Sequence, residues 1–117
     1  MADSLMPMYR LWGSEKKSRL VATYHNDDGT KVEYALEPVV VSKPALGYTR
    51  LRERLQPIAN RYDGQVRRDH DGKTYQVVGV GSDVLHDDNY LICLPQGEAS
   101  TDLRCWPLNE FERLAPS

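Results

Sequence analysis

The sequence predicts an α+β domain: a mainly antiparallel, twisted sheet or a small, partly open β-barrel, with one central helical segment and a short C-terminal helix. Three observations predict it. Short segments that alternate apolar and polar residues recur on either side of Asp-Gly turns. The apolar period changes once, from Thr49, to helical spacing. The chain then closes on a proline-led amphipathic stretch, "PLNEFERL". Short strands at close spacing favour a sheet that curls on itself, with helices packed on one side or end.

The elements follow in order. Residues 1–19 mix apolar and charged types without a period, and "GSEKKS" at 13–18 reads as solvated, so this stretch is expected to be an N-terminal arm or loop. A single compact domain is expected over 20–117. "RLVATY" and "KVEYAL" flank "HNDDGT", a hairpin signal in which Asp28-Gly29 supplies the turn. "EPVVVSKP", bounded by Pro38 and Pro44, suggests an edge strand or a crossing connection. Leu51, Leu55, Ile58 and Tyr62 recur at helical spacing, and Pro57 among them implies a kink or two short helices. "QVRRD" and "KTYQVVGVG" flank "HDG" as a second hairpin, and "NYLICL" and "DLRCW" flank "PQGEAST" as a third. In the last stretch Leu108, Phe111 and Leu114 recur at threes.

Composition narrows the function classes. At 117 residues, 40% hydrophobic and 27% charged, the chain has the make-up of an ordinary globular domain. A net charge of −2 gives no sign of a nucleic-acid or membrane partner. Apolar runs such as "VVV" at 39–41 are far too short for a bilayer, and no secretion signal opens the chain, so a cytoplasmic location without membrane association is expected. Two cysteines, Cys93 and Cys105, make neither a disulfide framework nor a four-ligand zinc site, and read as buried thiols in consecutive strands.

The three histidines each lie beside aspartate: "HNDDG" at 25–29, "HDG" at 70–72 and "HDDN" at 86–89. Histidine with aspartate suits zinc or manganese, but a metal site would require the tips to converge, and no metal-binding spacing is present. Aspartate, asparagine and glycine also need no catalytic reason to sit in turns. "GVGS" at 79–82 lacks the remaining glycine of a dinucleotide fingerprint and the lysine of a phosphate loop, so its glycines indicate a bulge or close packing. No catalytic residue, metal or cofactor is expected, and a metal-dependent enzyme at the His-Asp tips is the weakest of three functional readings.

Charge is segregated along the chain. Residues 43–68 carry seven basic groups against two acids, whereas 69–117 carry three against nine. At about 100° per residue, Arg50, Arg54 and Arg61 fall within about 40° of one another beside the apolar stripe. Arg50, Arg52, Arg54, Arg61, Arg67 and Arg68 form a basic candidate surface, suited to phosphates and carboxylates alike. Asp83, Asp87, Asp88, Glu98 and Asp102 form an acidic candidate surface that can steer a basic partner. The plain alternative is that the two sets pair with each other or with solvent.

From Lys73 the chain resembles a small bacterial β-barrel domain family of uncharacterised function, through Tyr75, Val77, Gly79 and Val80 and then Trp106, Pro107, Leu108 and Phe111. Trp106 abuts Pro107 directly, a departure from the family pattern, and residues 1–72 lie outside the resemblance. The resemblance implies a small barrel core closed by a terminal turn of helix and brings no catalytic residues. The expected function is therefore a non-enzymatic protein-interaction module, a regulator or inhibitor of the phage-encoded type, acting on a protein partner through charged surface. Nucleic-acid binding through the stripe at 50–68 is the alternative.

Overall fold

The Asp-Gly turns form as their chemistry dictates. Asp28 Oδ1 accepts hydrogen bonds from the Thr30 N–H at 2.9 Å and the Thr30 hydroxyl at 2.7 Å, and Gly29 takes φ +89°. Asp71 Oδ1 accepts from the Lys73 N–H at 2.9 Å, with Gly72 at φ +86°. A computed structural model describes residues 2–13, 20–39, 46–97 and 101–116. Its elements are β1 (Met8–Gly13), β2 (Val21–His25), β3 (Lys31–Pro38), α1 (Leu46–Tyr62), β4 (Val66–Arg68), β5 (Thr74–Asp83), β6 (Asn89–Pro95), β7 (Leu103–Pro107), α2 (Leu108–Phe111) and β8 (Ala115–Pro116).

The chain is an α+β domain built on a closed barrel. Two antiparallel three-stranded units, β1-β3-β2 and the meander β7-β6-β5, join edge to edge through two parallel seams. One seam pairs Met8 with Val80 through to Leu11 with Asp83. The other pairs only Ala22 with Leu103 and Thr23 with Arg104. β5 is long enough to give its N-terminal half to β4 and its C-terminal half to β1, and β8 extends the sheet beyond β4. Closure by β1 removes the free edges a partly open barrel would leave. Within the stretch expected to be an arm or loop, then, Met8–Gly13 is a barrel strand. Its pattern hides because Tyr9 and Leu11 point into the lumen while Arg10 and Trp12 line the outside.

The two faces of the barrel bury separate clusters. Leu11, Ala22, Leu36, Tyr90, Ile92 and Cys105 fill the lumen. Room for them comes from glycine: a Cβ on Gly81 would lie 3.0 Å from the Tyr9 carbonyl oxygen and 2.2 Å from Leu11 Cδ1, and one on Gly79 2.9 Å from Tyr9 Cε2. "GVGS" is thus a close-packing signal, and the pairing of β5 with β6 slips between Val77 and Gly79. Outside, Leu55, Ala59 and Tyr62 of α1 cover Val77, Val80, Leu91, Cys93 and Trp106, with Phe111 and Leu114 completing the layer. Tyr62 meets Phe111 edge to face at 5.7 Å.

Two expectations change here. α1 is one helix with Pro57 inside it, not two short ones. The missing Pro57 N–H faces the exposed side, where water can serve the Glu53 carbonyl, and the buried stripe of Leu55, Ala59 and Tyr62 holds both halves together. The terminal helix is a single turn, Leu108–Phe111, continued by a turn through Leu114. Pro44 and residues 40–45 around it lie outside the described residues. No helix among the described residues is long and apolar enough to cross a membrane.

Candidate functional site

The arginine stripe of α1 divides between two neighbours. At its N-terminal end Arg54 donates to the Ser82 hydroxyl, and Arg50 and Arg54 form one wall of a groove of about 310 Å³ against the end of β5. Arg10, Tyr48 and Leu51 line the same side, and Asp83, Val84 and Asp87 the other. Arg10 is held there by its neighbours. Its guanidinium lies 5.2 Å from the Trp12 ring centre and 5.8 Å from that of Tyr48, and 3.8 Å from Glu37, which also accepts the Tyr48 hydroxyl at 3.0 Å. At the other end of the helix Arg61, largely exposed, stands 3.7 Å from Glu112.

The remaining arginines do different work. Arg67 donates to the Leu114 carbonyl at 3.1 Å and to Gln65 Oε1 at 3.0 Å, with its guanidinium over Phe111 at 4.9 Å, so it fastens the C-terminus to β4. Arg52 is partly buried, and Arg68 is exposed on β4. The six predicted basic residues therefore do not form one surface: Arg50 and Arg54 share the groove, and the others lie apart from it.

The acidic set disperses in the same way. Asp83 is buried; its Oδ1 accepts from the Leu85 N–H at 2.9 Å and its Oδ2 meets His86 Nδ1 at 3.1 Å. Asp87, at φ +56°, faces the groove, while Asp88 lines a separate depression with Glu110 and Glu112. Asp102 lies beside β7 in a third cavity, and Glu98 falls outside the described residues. The loop carrying Asp87 also projects Leu85, 74% exposed. Sequence reasoning missed Arg10 and Leu85. The one available signal for Leu85 was a short apolar pair, Val84-Leu85, among polar residues in "DVLHDD", which reads as ordinary loop.

The three His-Asp motifs separate into two places. His25 and His70, with Asp27, Asp69 and Asp71, line one cleft of about 410 Å³ between the hairpin tips, whereas His86 pairs with Asp83 near the arginine groove. Among the described residues no three His, Cys, Asp or Glu side chains cluster so as to hold a metal ion. The cleft floor carries Arg104, another residue the sequence left unremarked. Burial first, then the charges of Arg104 and Lys31, holds the His25 imidazole below its ordinary range.

The thiols are placed for packing. Across β6 and β7, Cys93 pairs with Arg104 and Cys105 with Ile92, so the two sulfurs lie on opposite faces of the sheet. Burial pushes both thiols upward, that of Cys105 to about 12. Comparison with protein-family models, curated proteins and solved structures found no match to this chain.

Proposed function

We propose that the protein is a non-enzymatic interaction module that docks a protein partner in the groove between α1 and the β5–β6 loop, in a regulatory or inhibitory role. The observation that carries this reading is the exposed Leu85 beside a groove walled by Arg10, Tyr48, Arg50 and Arg54. Arginine and tyrosine are the side chains that anchor interfaces most often, because each offers large contact area with a polar end. Burying an exposed leucine contributes about 1.5–3 kcal/mol. The guanidinium wall recognises carboxylates, so the partner segment is acidic and carries an apolar side chain for Leu85. The cytoplasm is the proposed location, in keeping with two free, buried cysteines.

The test is capture from a nuclease-treated native lysate with wild type, Arg50→Glu, Leu85→Ser and, as a control, Arg68→Glu. A protein retained by wild type and Arg68→Glu but lost from Arg50→Glu and Leu85→Ser supports docking in the groove. Equal retention by all four excludes it. Capture that vanishes with nuclease, and an affinity falling steeply with salt, would favour the nucleic-acid alternative, which draws on the exposed Arg50, Arg61 and Arg68.

A further inference from the structure

We propose that two copies of this chain associate through the arginine groove, each inserting its Leu85 loop into the groove of the other. The inference rests on the reading of that groove as a protein-docking site and names its occupant. It starts from the loop at 84–88, which carries what the groove selects. One exposed apolar side chain, Leu85, is followed by two exposed carboxylates, Asp87 and Asp88.

The loop is held in shape before any partner arrives. The buried Asp83 side chain accepts the Leu85 N–H at 2.9 Å, and the Asp83 carbonyl accepts the Asp87 N–H at 2.9 Å. The Val84 N–H donates to the Leu11 carbonyl at 3.1 Å, and the Asp83 N–H to that of Asp88 at 2.9 Å. These bonds keep Leu85 out of the groove that its own neighbours Val84 and Asp87 line. Little backbone freedom is therefore lost on docking.

The groove offers the matching surface. Tyr48, Leu51 and Val84 give it apolar lining, its volume of about 310 Å³ has room for a leucine side chain, and Arg50 and Arg54 stand exposed along one wall. Among the described residues no ion pair uses Arg50 or Asp88. Across this face the order is arginine wall, groove, Leu85, and then Asp88 with Glu110 and Glu112 in the next depression. A two-fold axis lying in the face, between groove and Leu85, reverses that order in the second copy. Each leucine then meets a groove, and each Asp88 meets an arginine wall. Loop and groove share one face, so both insertions occur in a single contact, which closes a dimer rather than starting a filament. One loop and one groove per copy make a small interface, so the dimer is weak and depends on concentration.

The experiment is analytical ultracentrifugation of the full chain from low micromolar to millimolar concentration. Wild type is expected to pass reversibly from monomer to dimer. Leu85→Ser, Arg50→Glu and Asp88→Arg, all at exposed positions, are each expected to weaken association at least about tenfold. Arg68→Glu, which changes the net charge as much as Arg50→Glu does, is expected to leave it unchanged. An equimolar mixture of Arg50→Glu with Asp88→Arg is expected to regain association, since both junctions of the mixed dimer then join opposite charges. A chain that stays monomeric at millimolar concentration overturns the proposal. So does undiminished dimerisation of Leu85→Ser, or a mixture that associates no better than its two components. A monomeric chain that still captures another protein through Arg50 and Leu85 overturns self-association alone and leaves the groove reading standing.

Discussion

Arg104 and Arg61 are the same side chain under opposite conditions. One is 10% exposed, packed against two aromatic rings and bonded to a carboxylate that is itself 13% exposed. The other is 71% exposed and stands 3.7 Å from a carboxylate that is 41% exposed. Water screens the second pair, which also loses side-chain freedom when it forms, so its net contribution is close to nothing. The first pair lies where either charge alone would be stranded. A count of arginines by position cannot separate these cases. Burial does, and it turns one arginine into part of the fold while leaving the other at the surface.

Substitutions along this gradient break or sharpen the contrast. Arg104→Met strands Asp69 and is expected to cost about 3–5 kcal/mol in urea unfolding; a loss below 1 kcal/mol would show that the Arg104–Asp69 pair is no more than a surface pair. Gly81→Ala, a lumen control without charge, forces Leu11 and the Tyr9 carbonyl aside and should cost about 1–3 kcal/mol with the urea m-value unchanged. Arg67→Ala removes two charged hydrogen bonds and the Phe111 contact, and should fall between the extremes at about 1–2 kcal/mol. Arg61→Ala should lie within about 0.5 kcal/mol of wild type.

The smallest effect is protonic. The His25 pKa is lowered by burial, then by Arg104 and Lys31, so the unfolded chain binds the proton more tightly than the folded one. That histidine's contribution is fully present above the ordinary imidazole pKa of about 6.5 and is lost as pH falls below it. An NMR titration should give a His25 midpoint below that value, and Arg104→Met should move it back up. A midpoint unaffected by the loss of Arg104 would mean that burial acts alone.

Much of the framework was legible because it is local. The Asp-Gly turns, the alternation in "KVEYAL" and "NYLICL", and the helical spacing of Leu51, Leu55, Ile58 and Tyr62 each encode their element within a few residues. β1 was not legible, since "MYRLWG" takes its strand identity from partners at Leu36 and Val80. The candidate site was legible in part. The stripe of Arg50 and Arg54 follows from helical geometry, with Tyr48 on the same helix, but Arg10 and Leu85 join it only through long-range packing. "DLRCW" places Arg104 on the outer face of a strand, where alternation alone expects solvent. The "DHDG" tip, Tyr75 and Trp106 enclose it instead.

By itself the sequence determined the turns, the strand and helix periods, the α+β class and the charge carried by each segment, because these depend on backbone preferences and spacing over a few residues. The tertiary structure alone decided the closure of the barrel through two parallel seams, the separation of the three histidines, and which arginines are buried, because those outcomes depend on which distant surfaces exclude water from one another.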